Sequence, residues 1–364
     1  MTQARMIDGH NNLPLKLRQL YQNKLSKIDL RTLTTTHTNI QKLQAGLVGA
    51  QVWSVFVPCG AQNKDVVRLT LEQIDIIDRL CKTYDEFEMV TSSQGIENLP
   101  NDKIACLMGI HGGHSIDSSL AALRIYYELG VRYMALTNAC NTPWAQSAVQ
   151  SENHLHPDTS GLSSFGIKVV KEMNRLGMMI DLSHASQATA MDVLGISKAP
   201  VIFSHSLALT VCEHPRNIPD DILQRLRQNN GIVMVIFHGK PEDCGGKTVG
   251  ISTVIENLDY IRSTVGSENI GLSGGYNGEL PLSEGLEDIS KCQTLIQKLL
   301  DKGWSEEEVR GILRENFLRV YREVEKVRDA SAVQKPKEAE IPLRLVQNKC
   351  RLELKPPPRI SLLD

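Results

Sequence analysis

Short apolar, β-branched runs alternate with longer helix-like segments through most of this chain, and that alternation constrains the fold more than any other feature. Eight such runs are read, at residues 6–9, 48–57, 104–110, 133–136, 178–182, 201–203, 232–237 and 270–273. Helix-like stretches lie between them, at 65–84, 119–129, 164–176, 186–194 and 220–228, with two more after the last run at 291–302 and 305–327. Ile218-Pro219-Asp220-Asp221 resembles a helix start, with proline and acidic residues in the first turn. Trp304-Ser305-Glu306-Glu307-Glu308 supplies an N-cap serine and a glutamate three residues later. Strands alternating with helices imply a parallel sheet covered on both faces. Eight repeats predict an α/β fold of the closed (β/α)8 TIM-barrel type over residues 1–328. Residues 329–364, with Lys335-Pro336-Lys337 and Pro356-Pro357-Pro358, read as a polar, Pro-rich tail or strap. An open doubly wound sheet is the alternative. It would carry a glycine-rich phosphate turn after its first strand, and Asp8-Gly9-His10-Asn11-Asn12-Leu13-Pro14 is no such turn.

Composition excludes several functions. Forty basic residues against 42 acidic ones give a net charge of −2, and aromatics make up 5% of the chain. Neither the electrostatics nor the stacking surface suits a nucleic-acid partner. No run of 18 apolar residues occurs, so no transmembrane segment is expected. Neither an apolar signal region at Met1-Thr2-Gln3-Ala4-Arg5 nor a hydrophobic anchor tail at the other end is read, and localisation stays open. The eight cysteines form no CxxC pair, which excludes a zinc ribbon or thioredoxin motif. Cys106, inside an apolar run, reads as a buried thiol, and the spacing of the others does not fix their pairing.

The histidines are placed more tellingly. His10, His111, His184 and His205 fall just past the C-terminal ends of the first, third, fifth and sixth runs. In a barrel those ends converge on one mouth, where active sites of this fold are built. Neutral imidazole is a common ligand of zinc and related divalent ions, so the four predict a metal site. A single histidine at a strand end would more simply be structural. His37, His154, His156, His214 and His238 read as loop or surface residues, and His114 as supporting or structural.

The same segments carry a family resemblance. Asp8-Gly9-His10-Asn11, Gly112-Gly113-His114-Ser115, Cys140-Asn141-Thr142-Pro143-Trp144, Asp181-Leu182-Ser183-His184 and Val201-Ile202-Phe203-Ser204-His205-Ser206 resemble the membrane (renal) dipeptidase family. Arg216-Asn217-Ile218-Pro219-Asp220-Asp221 and Gly285-Leu286-Glu287-Asp288 extend the match, which runs from about Ile7 to Val327. The resemblance implies a metallo-dependent hydrolase barrel that uses two zinc ions to cleave dipeptides and related β-lactam or cystinyl substrates. It further implies disulfides Cys59–Cys140 and Cys212–Cys244, with Cys350 linking two subunits of a homodimer. The family is extracellular and often lipid-anchored.

Carried over residue by residue, the resemblance predicts a defective centre. His10, His184 and His205 match metal ligands, and Arg216 matches the arginine that holds a substrate carboxylate. Asn12 stands where the family has a ligand aspartate, and His111 where it has the glutamate that bridges both metals. Asn138 replaces a substrate-contacting histidine that helps stabilise the tetrahedral intermediate. Gly275 replaces the aspartate that handles the proton of the bridging water, and Asn277 a nearby aspartate. A bridging carboxylate neutralises charge and offers one oxygen to each ion, which imidazole cannot do. Asn is a poor zinc ligand, and glycine cannot be a general base.

The expected function is therefore a dipeptidase-like barrel that is inactive or strongly impaired. As a pseudoenzyme it would hold zero or one zinc and keep a cleft for a dipeptide-like small molecule. One alternative is a mononuclear zinc hydrolase using His10, His111, His184 and His205. A second is residual dipeptidase activity through Glu279 or Asp181, although Asp181 reads more simply as a residue that orients the histidines. A third, non-enzymatic alternative uses the stable barrel for its bulk.

Overall fold

The computed structural model describes residues 4–149, 160–237, 239, 244–246, 249–278, 283–346 and 348. Its strands are β1 Met6–Asn11, β2 Val48–Phe56, β3 Phe87–Met89, β4 Ile104–His111, β5 Val131–Ala135, β6 Met179–Asp181, β7 Ile202–Ser206, β8 Ile232–Ile236 and β9 Ile270–Ser273. All pair in parallel, in the order β2-β1-β9-β8-β7-β6-β5-β4-β3. Pairing of β2 with β4, from Ala50 opposite Ala105 to Phe56 opposite His111, closes eight of the strands into a barrel. The short β3 pairs only with β4, from outside the ring. The eight predicted runs are these eight barrel strands.

Strand geometry sends successive side chains to opposite faces, and two buried clusters result. Ile7, Ala50, Val52, Ala105, Leu107, Tyr133, Met179, Ile202, Ile232 and Met234 belong to one cluster, which also takes in Phe317, Leu318 and Tyr321. Several of these strand residues lie at the first turns of their strands, so the helix Asn316–Ala330 stops the N-terminal end of the barrel. The larger cluster, including Val55, Cys106, Met108, Ile110, Met134 and Ile180, packs the opposite strand faces against helices such as Val66–Thr83 and Ser164–Leu176. With one end plugged, the C-terminal strand ends are left to form the site.

The local signals act as the sequence suggests. Ser305 Oγ accepts from Glu308 N–H at 3.2 Å while Glu308 accepts from Ser305 N–H at 2.9 Å, a reciprocal cap. The final helical stretch is interrupted by a π-helical turn at Gly311–Glu315. Helices Leu13–Tyr21 and Ile251–Val265 occupy stretches for which the sequence reading named no helix. No helix among the described residues is long and apolar enough to cross a membrane.

One expectation needs correction. Cys106 is buried but is no free thiol: it is bonded to Cys81, tying β4 to the helix Val66–Thr83. Of the stretch read as a tail or strap from residue 329, the described part begins with the last helix, which continues to Ala330, and the chain then lies against the barrel. Ile341 and Val346 are buried there, and the Lys337 N–H donates to Glu172 at 3.0 Å. Pro356, Pro357 and Pro358 lie outside the described residues.

Candidate metal centre

The four predicted histidines are set at the mouth of the barrel by the ends of strands. His10 is near the end of β1, His111 ends β4, His205 lies in β7, and His184 follows β6 with φ +66. A cavity of about 260 Å³ is lined by His10, Asn12, His111, Asn138, His184, His205, Arg216 and Gly275, with Leu15, Phe56, Ala139, Ile236 and Gly278 completing its walls. The expected residues are thus brought together, except Asn277. Its side chain is buried away from the mouth, donating to Asn11 at 3.0 Å and Thr38 at 2.9 Å.

The four imidazoles form one stack of contacts. His10 and His205 are parallel at 4.2 Å between ring centroids, and His111 sits edge-on to both at 4.7 Å. His184 Nε2 is 3.0 Å from His205 Nε2. One ring nitrogen each from His10, His111 and His205 lies within 4.8 Å of the others. Burial, opposed in part by the neighbouring Asn12 amide, pushes His10 down to about 3. Burial first, and then the other histidines and Arg216, holds His111, His184 and His205 well below the usual histidine range. The rings are therefore neutral near pH 7, which is the ligating form.

Their tautomers follow from the hydrogen bonds. Tyr133 Oη donates to the Gly9 carbonyl at 3.0 Å and lies 3.1 Å from His10 Nδ1. A hydroxyl has one proton, so His10 Nδ1–H donates to Tyr133 and the lone pair is on Nε2. Burial, with Asp181 nearby, raises the Tyr133 phenol well above its usual value, so that proton stays. Gly109 makes this lock fit, because a Cβ there would meet the Tyr133 ring at 2.1 Å.

A second lock holds His205. Ser204 Oγ donates to Asp181 at 2.5 Å and lies 2.7 Å from His205 Nδ1, so Nδ1 donates and Nε2 again keeps the lone pair. Asp181 also accepts the Ser183 and Ser204 N–H groups at 2.9 Å. It works from behind His205 and does not line the cavity.

The donor set decides what can bind. His10 Nε2 and both nitrogens of His111 are buried and make no hydrogen bond, a costly arrangement unless an ion or another partner completes it. Three or four neutral imidazoles suit one divalent transition metal. They do not suit a pair, since no carboxylate is among the described residues lining the cavity. Gly275 donates its N–H to the His10 carbonyl at 2.9 Å with φ +65, so only backbone is present where a proton-handling side chain was expected in the family pattern. The Asn138 side-chain oxygen accepts from Ala139 N–H at 2.6 Å. Arg216 approaches the His205 carbonyl at 3.4 Å and provides a cation on the cavity wall. Glu279 lies outside the described residues, as do His154, His156, His238 and Cys350.

Two cross-links frame this mouth: Cys59–Cys140 joins the segments after β2 and β5, and Cys212–Cys244 joins those after β7 and β8. The wall residue Phe56, and Tyr133 behind the cluster, were not distinguishable from core residues in the sequence. The placement of Tyr133 opposite Gly109 is the one signal that could have marked it.

The model of the membrane dipeptidase family, peptidase family M19, matches residues 1–335. This chain belongs to the membrane dipeptidase family. Among its relatives, Dipeptidase 3 of Mus musculus is 52% identical over 354 residues, covering 97% of this chain and 71% of that protein. Dipeptidase 3 of Homo sapiens is 50% identical, covering 96% of this chain and 71% of that protein. The fold is shared with a metallopeptidase from Rhodobacter sphaeroides, solved with a phosphinate mimic of the dipeptide L-Ala-D-Ala. That likeness has a TM-score of 0.80 at 21% identity and covers 88% of this chain and 99% of that one. A membrane dipeptidase barrel with a histidine cluster able to hold a metal is therefore in place, and its chemistry turns on the substituted positions.

Proposed function

We propose that this membrane dipeptidase homologue has lost two-metal dipeptide hydrolysis and keeps its cleft as a binding site for a dipeptide-like ligand. The observation that carries the reading is the absence of any carboxylate among the described residues lining the cavity. Two divalent ions at close range need anionic ligands between them, and His111 offers a neutral ring instead. Gly275 supplies no base, and loss of a general base alone costs about 10²–10⁴ in rate. Zinc, where the cluster takes it up, would be held by His10, His111 and His205, with His184 alongside. Bound there, it would supply Lewis-acid polarisation and water activation. Arg216, on the cavity wall, would meet a ligand carboxylate, while Leu15, Phe56 and Ile236 pack against its apolar parts.

Calorimetric titration with a simple dipeptide tests the cleft. Binding without turnover is expected, with Arg216→Ala weakening it at least tenfold, the scale on which removing one member of a charge-assisted pair acts. Unchanged affinity in Arg216→Ala would contradict the binding mode.

A second reading, a mononuclear zinc hydrolase, is favoured by the unpartnered nitrogens of His10 and His111. It requires near one zinc per chain together with hydrolysis that His111→Ala abolishes.

The proposal extends to assembly as a homodimer bridged through Cys350. Three disulfides account for six of the eight cysteines, and Cys292 is buried at 2% exposure, which leaves Cys350 for a link between chains. Non-reducing electrophoresis should show a covalent dimer that Cys350→Ser removes. A monomer band for the unsubstituted protein would overturn this part of the proposal.

A further inference from the structure

Beside the histidine cavity is a second group of metal-binding residue types, held in a different chemical state. Cys59 is on a single helical turn, Cys59–Ala61, after β2; His114 is on the turn Gly113–Ile116 after β4; Cys140 follows β5. The cysteines are bonded to each other, with their Cα atoms 6.1 Å apart. One ring nitrogen of His114 and both sulfurs lie within 4.8 Å of one another.

His114 is 2% exposed, and its Nε2 is 2.8 Å from the Val57 carbonyl. A carbonyl only accepts, so the ring proton is on Nε2 and the lone pair is on Nδ1. Nδ1 is buried and has no hydrogen-bond partner. Gly112, at φ +119, makes the cradle, because a Cβ at that position would meet His114 Cε1 at 2.4 Å and Nδ1 at 2.6 Å. A ring turned so that its free lone pair has no donor, next to two sulfurs, is an incomplete ligand set.

We propose that the Cys59–Cys140 disulfide masks a binding site for one soft divalent cation, of the zinc class, whose ligands are the two thiolates and His114 Nδ1. A dithiol reductant opens the site. The S–S bond accepts two electrons and two protons, giving two thiols, and the dithiol closes to its own disulfide. Metal binding then releases the two thiol protons, and the two thiolate charges balance the dication. Zinc–sulfur bonds of about 2.3 Å place two tetrahedral sulfurs roughly 3.7 Å apart. Side-chain rotation from the present backbone separation suffices for that spacing. The fourth position stays open. The site joins the segments that follow Phe56, His111 and Asn138, so a loaded ion would tie together three walls of the neighbouring cavity. It uses none of the cavity's own ligands, and its existence does not rest on the reading of that cavity.

Cobalt(II) distinguishes the two groups, because thiolate ligation gives a sulfur-to-metal charge-transfer band that nitrogen ligation does not. The full-length chain, treated with a dithiol and freed of it without oxygen, is titrated with cobalt(II). One thiolate-bonded ion per chain is expected, absent from the oxidised protein and from Cys59→Ser/Cys140→Ser, and at least tenfold weaker in His114→Ala. A second measurement needs no variant: zinc should slow alkylation of Cys59 and Cys140 in the reduced protein, mapped by mass spectrometry. Lack of the band in reduced protein, a band that survives the double serine change, or alkylation indifferent to zinc would each overturn the proposal.

Discussion

Two side chains behind the cluster decide what His10 and His205 can do. Tyr133 and Ser204 each accept a hydrogen bond from the Nδ1–H of a histidine and so aim the Nε2 lone pair at the mouth. Groups that orient a metal-ligating histidine in this way typically change affinity 10- to 100-fold when removed. Tyr133→Phe should therefore weaken binding of a divalent metal by about that factor, measured by competition with a chelating dye. Unchanged affinity would show that the His10 tautomer is set elsewhere. The histidines themselves were legible in the sequence, because a strand end in a barrel has one destination. Tyr133 was not, because within a strand it has the pattern of any buried aromatic and only the cross-strand approach to Gly109 gives it a role. The Asp181–Ser204–His205 chain was half legible: an orienting role for Asp181 was expected, but its route through Ser204 needs β6 beside β7.

At the scale of elements, tertiary constraints complete what local patterns start. The eight barrel strands were legible because parallel strands buried on both faces leave continuous apolar runs. The helix Leu13–Tyr21 was not read, since Pro14 looks like a turn until it is placed in the first helical turn, where its missing N–H costs nothing. The Cys81–Cys106 link was also hidden, because spacing does not determine pairing. Closing that 25-residue interval stabilises the fold by about 3.5 kcal/mol on chain-entropy grounds.

One anchor of the segment after the last helix is Glu172, whose buried carboxylate meets Arg175 and Arg124 at 2.9 and 3.1 Å and accepts the Lys337 N–H. Burial alone would raise this carboxyl, but Arg175, Lys337 and Arg124 outweigh it and hold it below the usual glutamate value. A depressed folded-state value means that the stabilisation is complete above the ordinary glutamate range and is lost as pH falls from there through the lowered folded-state value. Hydrogen exchange across residues 335–346 should be slow at neutral pH and accelerate on acidification. In Glu172→Gln it should already be fast at neutral pH, and equal protection in the variant would count against this anchor.

For the whole molecule, near-neutral charge and a plugged barrel leave one end to carry function. Forty-two acidic residues are distributed over the chain, yet none is among the described residues at the cavity wall. The fold and family persist although the described cavity wall holds no carboxylate, because barrel stability rests on apolar strand faces and not on the residues at the mouth. Metal content and dipeptide hydrolysis, measured on the same sample of oxidised, zinc-equilibrated protein, test this most directly. The account predicts no more than one zinc per chain and no hydrolysis at the level of a two-metal dipeptidase. Two zinc ions per chain with sustained dipeptide cleavage would contradict it.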